Sequence, residues 1–374
     1  MSETVVVPFG NLRLDYLDEK GKIDRAIEDV LNAGWFVLGK TLEAFEAAFA
    51  KYLGINYGIG VGSGTEAIHL ALVAVGIKPG DEVITVSNTC VPTLSAVTLA
   101  GGIPVLVDID PVTYTMDPDK IEERITSKTK CIVPVHLYGQ CADMEPICEI
   151  ARRYRIKVIE DCAQAHGATY KGRFAGTMGD AGCYSFYPSK NLGAYGDAGM
   201  IVCRDAEIAE RVRMLRNYGQ SKRYYHDMKG FNSRMDEIQA AILLAKLPDL
   251  DRNNHRRIQI ASIYTKALSG LDWLICPTVA AECHHVFHLY IVRVPDRQAV
   301  QEYLQAQGIS TMVHYPIPIH RQASYVECLD QATYLPVTDE QAGQIMSLPI
   351  YPQMTDEQVS HVIASLLTYS PEKQ

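Results

Sequence analysis

Strand-like and helix-like segments alternate over about the first 215 residues, and this alternation limits the fold more than any other feature of the chain. Short apolar runs are separated by stretches long enough to cross over a sheet, the pattern of parallel strands joined by helices. The predicted strands are YGIGV, EVITVS, PVLVDI, CIVPVHLY, KVIED, CYSFY and GMIVC, and the predicted helices include TEAIHLALVAVG, DPDKIEERI and MEPICEIARRYR. We expect an α/β domain with a largely parallel sheet, covered by helices on both faces.

The pattern changes towards the C-terminus. Residues 236–247 (DEIQAAILLAKL) predict a strongly apolar helix, and from about residue 250 helix, strand and helix follow one another among several prolines. This change predicts a large domain over residues 1–250 and a smaller α+β domain over residues 251–374. The N-terminal segment contains the helix-like KGKIDRAIEDVLNAG and is expected to pack against one of the two domains, without a signal for which one.

The charge of the chain limits its partners. Asp and Glu outnumber Lys and Arg by 44 to 35, a formal net charge of -9, which repels phosphate backbones and argues against nucleic acid. The first twenty residues carry charges throughout, and no apolar stretch approaches the length of a bilayer span. Neither a signal peptide nor a membrane helix is predicted, and we expect a cytoplasmic protein without membrane contact.

One cluster suggests a metal site: Cys283, His284, His285 and His288. It runs into VFHLYIVRV, whose β-branched and aromatic residues predict a strand, in which successive side chains point to opposite faces. No second pair of ligands at zinc spacing accompanies the cluster. We therefore predict no metal site.

A glycine-rich turn joins the first predicted strand to the first crossover helix in YGIGVGSGTEAIHLALVAVG, where Ser63 and Glu66 have capping-box spacing. The free N–H groups of such a turn, together with the helix dipole, suit a phosphate. An ordinary strand-to-helix turn would look the same, and GSGTEA also satisfies the dinucleotide fingerprint. That fingerprint expects an acid at the end of the second strand, whereas Asp81 and Glu82 lie at its beginning, which weakens the dinucleotide interpretation.

Asp161 and Lys190 each lie at or just after the end of a predicted strand. At the carboxyl end of a strand, where open α/β sheets bind ligands, Asp161 could hold a protonated ring nitrogen, although a helix cap or a salt bridge would use the same residue. A lysine kept from water beside aromatic rings loses its proton and attacks aldehydes, although a lone loop lysine usually lies on the surface. Together with a phosphate site, these groups supply what pyridoxal phosphate requires.

Four motifs then carry a resemblance to a known family: GSGTEAIHLAL, IEDCAQAHGA, YSFYPSKNLGAYGDAGM and GFNSRMDEIQAAIL. In this order and over nearly the whole chain they resemble the DegT/StrS family of sugar aminotransferases. The resemblance implies a fold-type-I aminotransferase with a mixed seven-stranded, mostly parallel sheet and a small C-terminal α+β domain. It also implies pyridoxal 5'-phosphate as cofactor and a homodimer as the working form.

The resemblance further implies roles for residues around the cofactor ring. Lys190 would bind the aldehyde carbon covalently and later move the proton between the carbons of cofactor and substrate. Asp161 would pair with the ring nitrogen, and Gln164 would hydrogen-bond the ring hydroxyl. The family often has an aromatic residue stacked on the cofactor where SNTCVPT places Cys90, so what contacts that face of the ring is left open.

The phosphate end of the cofactor is implied to involve two subunits. Gly64 and Thr65 match the phosphate-binding turn of the family, and Ser185 matches a hydroxyl donor to the same phosphate. Asn232, in GFNSR, matches a donor that reaches the phosphate from the neighbouring subunit. The resemblance therefore implies a homodimer with a shared active site.

The implied substrates are a nucleotide-linked keto-sugar and L-glutamate, which leaves as 2-oxoglutarate. KNLGAYGDAG, YGQSKRYYH and MVHYPIPIHRQ resemble the 3-aminotransferases of the family, which favours a dTDP-linked 3-keto-6-deoxyhexose. The loop over residues 216–229 gathers basic and tyrosine side chains where a diphosphate and a sugar could bind, although a solvated loop would have the same composition. The residues expected to line the sugar pocket are Tyr225, His226, His314 and Tyr315.

Other functions stay open at this point. A 4-keto-sugar aminotransferase would use a similar pocket with the hexose turned, whereas the dehydrating branch of the family has histidine in place of Lys190. A cofactor-binding regulatory relative would need a DNA-binding or sensor segment, and no basic tract for one is present. An amino-acid aminotransferase would bind a second carboxylate with a dedicated arginine, which the sequence does not identify.

Overall fold

A computed structural model describes residues 5–326, 329 and 334–371. The α-helices within them are α1 (Leu12–Ala33), α2 (Lys40–Leu53), α3 (Gly64–Ala74), α4 (Val91–Leu99), α5 (Met144–Tyr154), α6 (Ala206–Leu215), α7 (Glu237–Lys246), α8 (Leu250–Leu268), α9 (Arg297–Ala306), α10 (Ala323–Val326), α11 (Pro336–Gln344) and α12 (Asp356–Thr368). The strands are β1 (Tyr57–Val61), β2 (Glu82–Val86), β3 (Ile103–Val107), β4 (Thr129–Ile132), β5 (Lys157–Asp161), β6 (Thr169–Tyr170), β7 (Arg173–Phe174), β8 (Ala181–Ser185), β9 (Gly199–Cys203), β10 (Gln220–Lys222), β11 (Tyr225–His226), β12 (Cys283–His284), β13 (Tyr290–Arg293) and β14 (Ile345–Leu348). No helix of this described part is both long enough and apolar enough to cross a membrane.

Seven strands form the central sheet, in the order β1-β9-β8-β5-β4-β2-β3. All neighbouring strands are parallel except that β9 runs antiparallel to both β1 and β8. The predicted mixed, mostly parallel sheet of seven strands is thus confirmed. Because two antiparallel pairings flank β9, β1 has the same direction as β8, and the carboxyl ends of β1, β2, β5 and β8 meet at one edge.

Apolar side chains cover both faces of this sheet. Neighbouring residues of β9, Met200 and Ile201, belong to different core clusters, as they must when successive strand residues point to opposite faces. One cluster includes residues of α2, α5 and α7, and the other includes residues of α3, α4 and α6. Helices therefore pack on both faces, as the alternating sequence predicts.

A third apolar cluster holds the C-terminal part of the chain together, with residues from α8, α9, α12, β13 and β14. Helix α8 joins two of the cores, because Leu250 at its start packs in the large one and Ile260 packs in the C-terminal one. We propose that the boundary between the two predicted domains falls within the first turns of α8, next to the expected division at residue 250.

The N-terminal segment contacts both parts of the molecule. Its first described residues pair with the C-terminal part, where the N–H of Val7 donates to the carbonyl of Gly308 at 2.9 Å. Helix α1 then lies along α7, and Asp15 forms an ion pair with Lys246 at 2.6 Å. The segment thus links the two cores instead of packing against one of them.

Two sequence-based expectations about elements are wrong. DPDKIEERI forms two short 3-10 turns, Pro118–Lys120 and Glu122–Arg124, instead of an α-helix. Of the two isoleucines in the segment only Ile121 is fully buried, so the segment lacks the apolar face that stabilises a longer helix. CIVPVHLY is a strand only as far as Ile132, because Pro134 has no N–H group for a sheet and Leu137–Gly139 turns away.

The predicted strand VFHLYIVRV is also shorter than expected. Only Tyr290–Arg293 pairs with another strand, β14. The preceding residues turn, because Phe287 has a positive φ of 45° and its N–H donates to the Nδ1 of His285 at 2.9 Å. This turn places His288 beside the active-site cavity instead of in a sheet.

Candidate active site

The ends of four strands surround one cavity of about 1010 Å³. It lies at the edge of the sheet where β1, β2, β5 and β8 finish, the edge at which open α/β proteins bind ligands. The structure brings together here Gly64, Thr65, Asp161, Gln164, Ser185, Lys190, His314 and Tyr315. The phosphate turn, the carboxylate and the lysine that the sequence suggests thus share one cavity.

The turn after β1 presents N–H groups to this cavity. Ser63 caps α3, because its hydroxyl oxygen accepts a hydrogen bond from the N–H of Glu66 at 3.2 Å. The reciprocal bond of the predicted capping box does not form, since the Glu66 carboxylate accepts from the Ser233 hydroxyl at 2.8 Å instead. Gly64 packs so closely on Ser185 that a Cβ at residue 64 would lie 2.5 Å from the Ser185 Cβ. The start of α3 and the Ser185 hydroxyl therefore lie side by side, an arrangement suited to an anion.

Asp161 lies buried at the end of β5, with 4% of its surface exposed. Its Oδ1 accepts a hydrogen bond from the N–H of Ala163 at 3.1 Å, and its Oδ2 accepts one from the hydroxyl of Thr93 at 2.9 Å. Burial raises the pKa of Asp161, which these bonds and the charge of Lys190 only partly oppose. A cation beside the carboxylate would favour its ionised form, and a protonated ring nitrogen is such a cation.

Lys190 follows β8 in a tight turn, in which its N–H donates to the carbonyl of Tyr187 at 2.8 Å. Its amine lines the cavity and has no hydrogen-bond partner among the described residues. Burial lowers the pKa of Lys190, and the nearby Cys90 and Asp161 oppose that shift. A larger fraction of the amine is therefore unprotonated at neutral pH, as a nucleophile towards an aldehyde requires.

Gln164 is held from two sides. Its Oε1 accepts a hydrogen bond from the N–H of Tyr138 at 2.7 Å, and its Nε2 donates to the hydroxyl of Tyr315 at 3.1 Å. The side-chain oxygen is thus committed to the protein, and one hydrogen of Nε2 is left for a ligand. This orientation agrees with the predicted donation to a ring hydroxyl.

His314, Tyr315 and Cys90 form another part of the cavity wall. The Nδ1 of His314 lies 2.7 Å from the hydroxyl of Ser347, and its carbonyl accepts a hydrogen bond from the hydroxyl of Tyr138. Burial lowers the pKa of His314 to about 4, so the ring is neutral. Cys90 occupies the position after β2 where the sequence leaves the cofactor contact open. It lies beside Tyr315, whose pKa is raised by burial and also by this thiol.

Three predicted site residues lie outside this cavity: Asn232, Tyr225 and His226. All three are exposed. Tyr225 and His226 form strand β11 of a small hairpin, and the backbone of Asn232 pairs with that of Asn217. A role for any of them at a cofactor therefore requires a second subunit.

The predicted basic loop is only partly available to a ligand. Arg216 forms an ion pair with Glu46 and donates to the carbonyl of Gly60 at 2.8 Å, so it braces β1 instead of facing outward. Lys222 lies over the ring of its hairpin neighbour Tyr225, 4.1 Å from the ring centroid. The sequence showed four basic residues together, but only the structure shows that Arg216 is already paired.

The side chains considered for a metal have separate partners. Cys283 contacts the carbonyl of Cys141, His285 accepts from the N–H of Phe287, and His288 bonds Asn191. Among the described residues, three potential ligands come together elsewhere, at His136, Glu160 and Cys162. Glu160 there accepts hydrogen bonds from His136 and from three backbone N–H groups, so it serves to brace the strand that carries Asp161.

Several residues at the cavity were not predicted from the sequence. Thr93, which bonds Asp161, belongs to the motif around Cys90 and could have been found by its position after β2. His288 lines the cavity. Hydrogen bonds hold it in place: its Nδ1 lies 3.0 Å from the Asn191 oxygen, and the Asn191 amide donates to Asn254 at 2.8 Å. Arg257, also at the cavity, comes from α8 and has no neighbouring motif.

The polar groups of the cavity fit pyridoxal phosphate. N–H groups at a helix start suit the phosphate, and the unpartnered amine of Lys190 suits the aldehyde. Asp161, whose pKa is raised by burial, suits the protonated ring nitrogen, a cation that would favour the ionised carboxylate. Gly64 lets the start of α3 lie directly against Ser185, whose hydroxyl is a further donor for the phosphate. The cavity therefore has a group for each end of this cofactor.

Curated proteins with nearly full-length similarity have related names. A dTDP-3-amino-3,6-dideoxy-alpha-D-galactopyranose transaminase of Aneurinibacillus thermoaerophilus is 48% identical over 97% of this chain and 99% of its own. A UDP-N-acetyl-3-dehydro-alpha-D-glucosamine 3-aminotransferase of Acidithiobacillus ferrooxidans is 43% identical over 97% of both chains. A pleiotropic regulatory protein of Geobacillus stearothermophilus is 45% identical over 97% of this chain and 98% of its own.

Solved structures and a family profile give the same result. DesV of Streptomyces venezuelae, crystallised with a ketimine intermediate, has a TM-score of 0.95 and 43% identity over 97% of this chain and 98% of its own. NtdA of Bacillus subtilis, with bound cofactor PMP, has a TM-score of 0.91 and 38% identity over 97% of this chain and 84% of its own. The profile of the DegT/DnrJ/EryC1/StrS aminotransferase family matches residues 17–367.

Proposed function

Because this chain belongs to the DegT/DnrJ/EryC1/StrS aminotransferase family, we propose that it aminates carbon 3 of a nucleotide-linked keto-sugar. The proposed amino donor is L-glutamate, and the proposed acceptor is a dTDP-linked 3-keto-6-deoxyhexose. The protein is a pyridoxal-phosphate-dependent aminotransferase, and the identity of the two substrates is the part that we propose.

One observation carries the proposal: Asp161, Lys190 and the N–H groups at the start of α3 face a single cavity. When bound, pyridoxal phosphate supplies an aldehyde that takes up the amino group and a protonated ring that withdraws electrons. Asp161 would keep the proton on the ring nitrogen, and Gln164 would donate to the ring oxygen. The amine of Lys190, once free, would move a proton between the carbon of the amino donor and the carbon of the cofactor that held the aldehyde.

The names of the relatives support amination at carbon 3 more strongly than they support one particular nucleotide on the sugar. The transaminase of Aneurinibacillus thermoaerophilus and the aminotransferase of Acidithiobacillus ferrooxidans are both named for position 3, one with dTDP and one with UDP. In this chain, His314 and Tyr315 would contact the hexose, because they line the cavity next to Lys190 and Gln164. Because Nδ1 of His314 is bonded to the Ser347 hydroxyl, the neutral ring has Nε2 left to hydrogen-bond one sugar hydroxyl.

Product analysis tests this proposal. The purified protein with pyridoxal phosphate and L-glutamate is incubated with dTDP-linked 3-keto and 4-keto 6-deoxyhexoses and with a UDP-linked 3-keto hexose. NMR then locates the new amine. We expect amination of the dTDP-linked 3-keto sugar; amination at carbon 4 alone would contradict the position, a preference for UDP would contradict the nucleotide, and inertness towards all of them would contradict the substrate class.

We also propose that two copies of the chain share each active site. Asn232 would bind the cofactor phosphate of the partner subunit, and Tyr225 and His226 would lie at the partner's sugar site. Support comes from their exposed positions outside the cavity of their own chain. Glu66 and Ser233, which hydrogen-bond each other at 2.8 Å, fix the segment next to Asn232 against the start of α3.

A further inference from the structure

A buried arginine lines the active-site cavity without a counter-ion among the described residues. Arg257, on α8, is 7% exposed and lies on the same cavity as Lys190. The acid that favours its charged form is Asp15, but Asp15 is paired with Lys246 at 2.6 Å. Burial lowers the pKa of Arg257 to about 10, which still leaves it a cation at neutral pH.

The protein uses only part of this guanidinium. Its Nη1 donates to the carbonyls of Phe287 at 3.4 Å, His288 at 3.4 Å and Ile350 at 2.9 Å. Its Nε is buried without a partner, and Nη2 has no hydrogen-bond partner within the described part of the chain either. The three carbonyls explain why the side chain is held in place. Of the two nitrogens left without a protein acceptor in the described chain, Nε is fully buried, so Nη2 is the donor that a carboxylate can reach.

The remaining charged groups of the cavity cannot bind an anionic substrate. Lys190 is needed for the aldehyde, and the other charged lining residues in the described chain are the acids Asp15, Asp161 and Asp197. The amino donor of the proposed reaction is a dicarboxylate, and a carboxylate taken out of water needs a cation or several donors. Among the described lining residues, Arg257 is the cation that is left.

We propose that Arg257 binds a carboxylate of the amino donor. This inference rests on the proposed aminotransferase function. Asn253 lies one helical turn before Arg257 on the same face of α8 and also lines the cavity, so its amide can add a second donor. The arginine that an aminotransferase needs for its amino donor is thus supplied by a helix without any recognisable motif.

The test separates the two halves of the reaction in the cofactor-loaded protein. In the first, L-glutamate converts the aldehyde form of the cofactor to the amine form without any sugar, and absorbance follows the conversion. In the second, the protein loaded with pyridoxamine phosphate is given the keto-sugar. Variants Arg257→Gln and Arg257→Lys are compared with Arg256→Gln, whose side chain lies outside the cavity and pairs with Asp356 at 2.7 Å.

We expect Arg257→Gln to raise the KM for L-glutamate at least roughly tenfold, the loss that follows when a charge-assisted hydrogen bond disappears. Its keto-sugar half-reaction and its cofactor content should stay close to wild type. Arg257→Lys, which keeps the charge but not the planar edge, should lie between the two. Arg256→Gln should match wild type in both half-reactions.

The other results overturn one specific statement each. An unchanged KM for L-glutamate in Arg257→Gln overturns the role of Arg257 and leaves the proposed function intact. Equal losses in both half-reactions, in Arg257→Gln and Arg257→Lys alike, would show that the arginine only holds its three carbonyls. A loss confined to the keto-sugar half-reaction would assign it to the diphosphate. If wild type reacts with L-glutamate but with no keto-sugar, the proposed acceptor fails while Arg257 keeps its role.

L-Glutamine identifies which carboxylate is bound, because it keeps the α-carboxylate and replaces the other one by an amide. A loss in Arg257→Gln with both amino acids assigns the α-carboxylate. A loss with L-glutamate alone assigns the side-chain carboxylate. Calorimetric binding of 2-oxoglutarate to wild type and Arg257→Gln, both loaded with pyridoxamine phosphate, gives a readout that needs no turnover.

Discussion

Asp161 and Lys190 have opposite pKa shifts with the same cause. Burial disfavours charge on both, so it raises the pKa of the acid and lowers the pKa of the amine. The protein thereby holds a reactive amine next to a carboxylate that lacks a full counter-ion. A protonated ring nitrogen would give Asp161 a cationic partner, and an aldehyde would react with the amine of Lys190, which is why pyridoxal phosphate suits this cavity.

Lys190 is expected to carry the cofactor. Borohydride reduction of the yellow protein should fix the cofactor to the peptide that contains Lys190, and mass spectrometry of the digest identifies that peptide. Lys190→Ala should lose detectable transamination because no other amine of the described lining residues can replace it. A label on another lysine, or turnover by the alanine variant, would show that the assignment is wrong.

Thr93 is expected to support cofactor binding through Asp161. Thr93→Val removes the hydroxyl that donates to Asp161 at 2.9 Å, so the ionised carboxylate loses a donor and cofactor affinity should fall about tenfold. Fluorescence titration of the cofactor-free protein measures this. Thr98→Val is the matched control, because the Thr98 hydroxyl bonds only carbonyls of its own helix; equal effects of the two changes would contradict the role of Thr93.

At the scale of single elements, the first turn of α3 has a structural role and a binding role. It ends β1 so that the helix can cross the sheet, and it presents N–H groups to the cavity. The close contact between Gly64 and Ser185 connects the ends of β1 and β8, whose Val61 and Ser185 both pair with Gly199 of β9. The geometry of the phosphate turn therefore depends on the sheet and not only on the turn sequence.

Gly64→Ala tests that dependence. The new Cβ would lie 2.5 Å from the Cβ of Ser185, so the turn must move, and we expect a loss of about 1 to 3 kcal/mol in the free energy of unfolding together with weaker cofactor binding. Gly21→Ala in α1, where a Cβ meets nothing within 4 Å, should instead stabilise by about 0.5 to 1 kcal/mol. Denaturant unfolding measures both, and a harmless Gly64→Ala would contradict the close contact.

The turn before β13 should make stability depend on pH. Burial lowers the pKa of His285 to about 3 from its ordinary 6.5. Between these values the unfolded chain binds a proton that the folded chain does not, so stability falls as pH falls. His285→Asn removes this titration and keeps an oxygen that can accept from the N–H of Phe287. Between pH 7 and pH 5 the free energy of unfolding should fall in both proteins. The fall should be smaller in His285→Asn than in wild type, and the difference between the two should be up to about 2 kcal/mol.

Urea unfolding at the two pH values measures this difference. His255→Asn is the control, because His255 is exposed and is not among the groups that shift the pKa of His285, so wild-type pH dependence is expected. An equal pH dependence in wild type and His285→Asn would mean that burial does not keep the His285 ring neutral.

At the scale of the whole molecule, the proposed shared site would need residues of a second chain at each cavity. The phosphate turn, Asp161 and Lys190 line the same cavity, whereas Asn232 is exposed and does not line it. Among the described residues, Trp35 and Phe36 are also large exposed apolar side chains, as expected of a surface that contacts another protein. A homodimer would bring Asn232 to the cavity of the partner.

Subunit mixing tests the shared site. Lys190→Ala and Asn232→Ala chains should each be inactive alone. Mixed under conditions of subunit exchange, they should recover up to about a quarter of wild-type activity. Half of the dimers are then hybrids, and each hybrid has one intact site of two. The control is a mixture of Lys190→Ala and Asp161→Ala chains. Each site takes Lys190 and Asp161 from the same chain, so every site in a hybrid lacks one of them and the mixture should stay inactive. Demonstrated exchange without recovery would contradict a shared site.

Much of the fold and of the candidate site could be predicted from the local sequence. Alternating apolar and amphipathic segments indicated a covered, mostly parallel sheet, because each strand and each crossover helix has its own periodicity. The glycine-rich turn, Asp161 and Lys190 could be found because they follow strands, and strand ends meet at one edge of a parallel sheet. The segment DPDKIEERI could not be assigned correctly, since whether a short segment becomes a helix depends on the apolar face that it buries.

Contacts between distant segments were decided only by the tertiary structure. Arg216 looked like part of a basic loop until Glu46, 170 residues away along the chain, proved to be its partner. Arg257 has no motif, and its position at the cavity follows from three carbonyls, two beside β13 and one after β14. Charge and periodicity are properties of neighbouring residues, so the sequence determined the elements and the strand-end chemistry. Burial and pairing are properties of space, so the fold alone decided which charged groups are already partnered and which remain for a ligand.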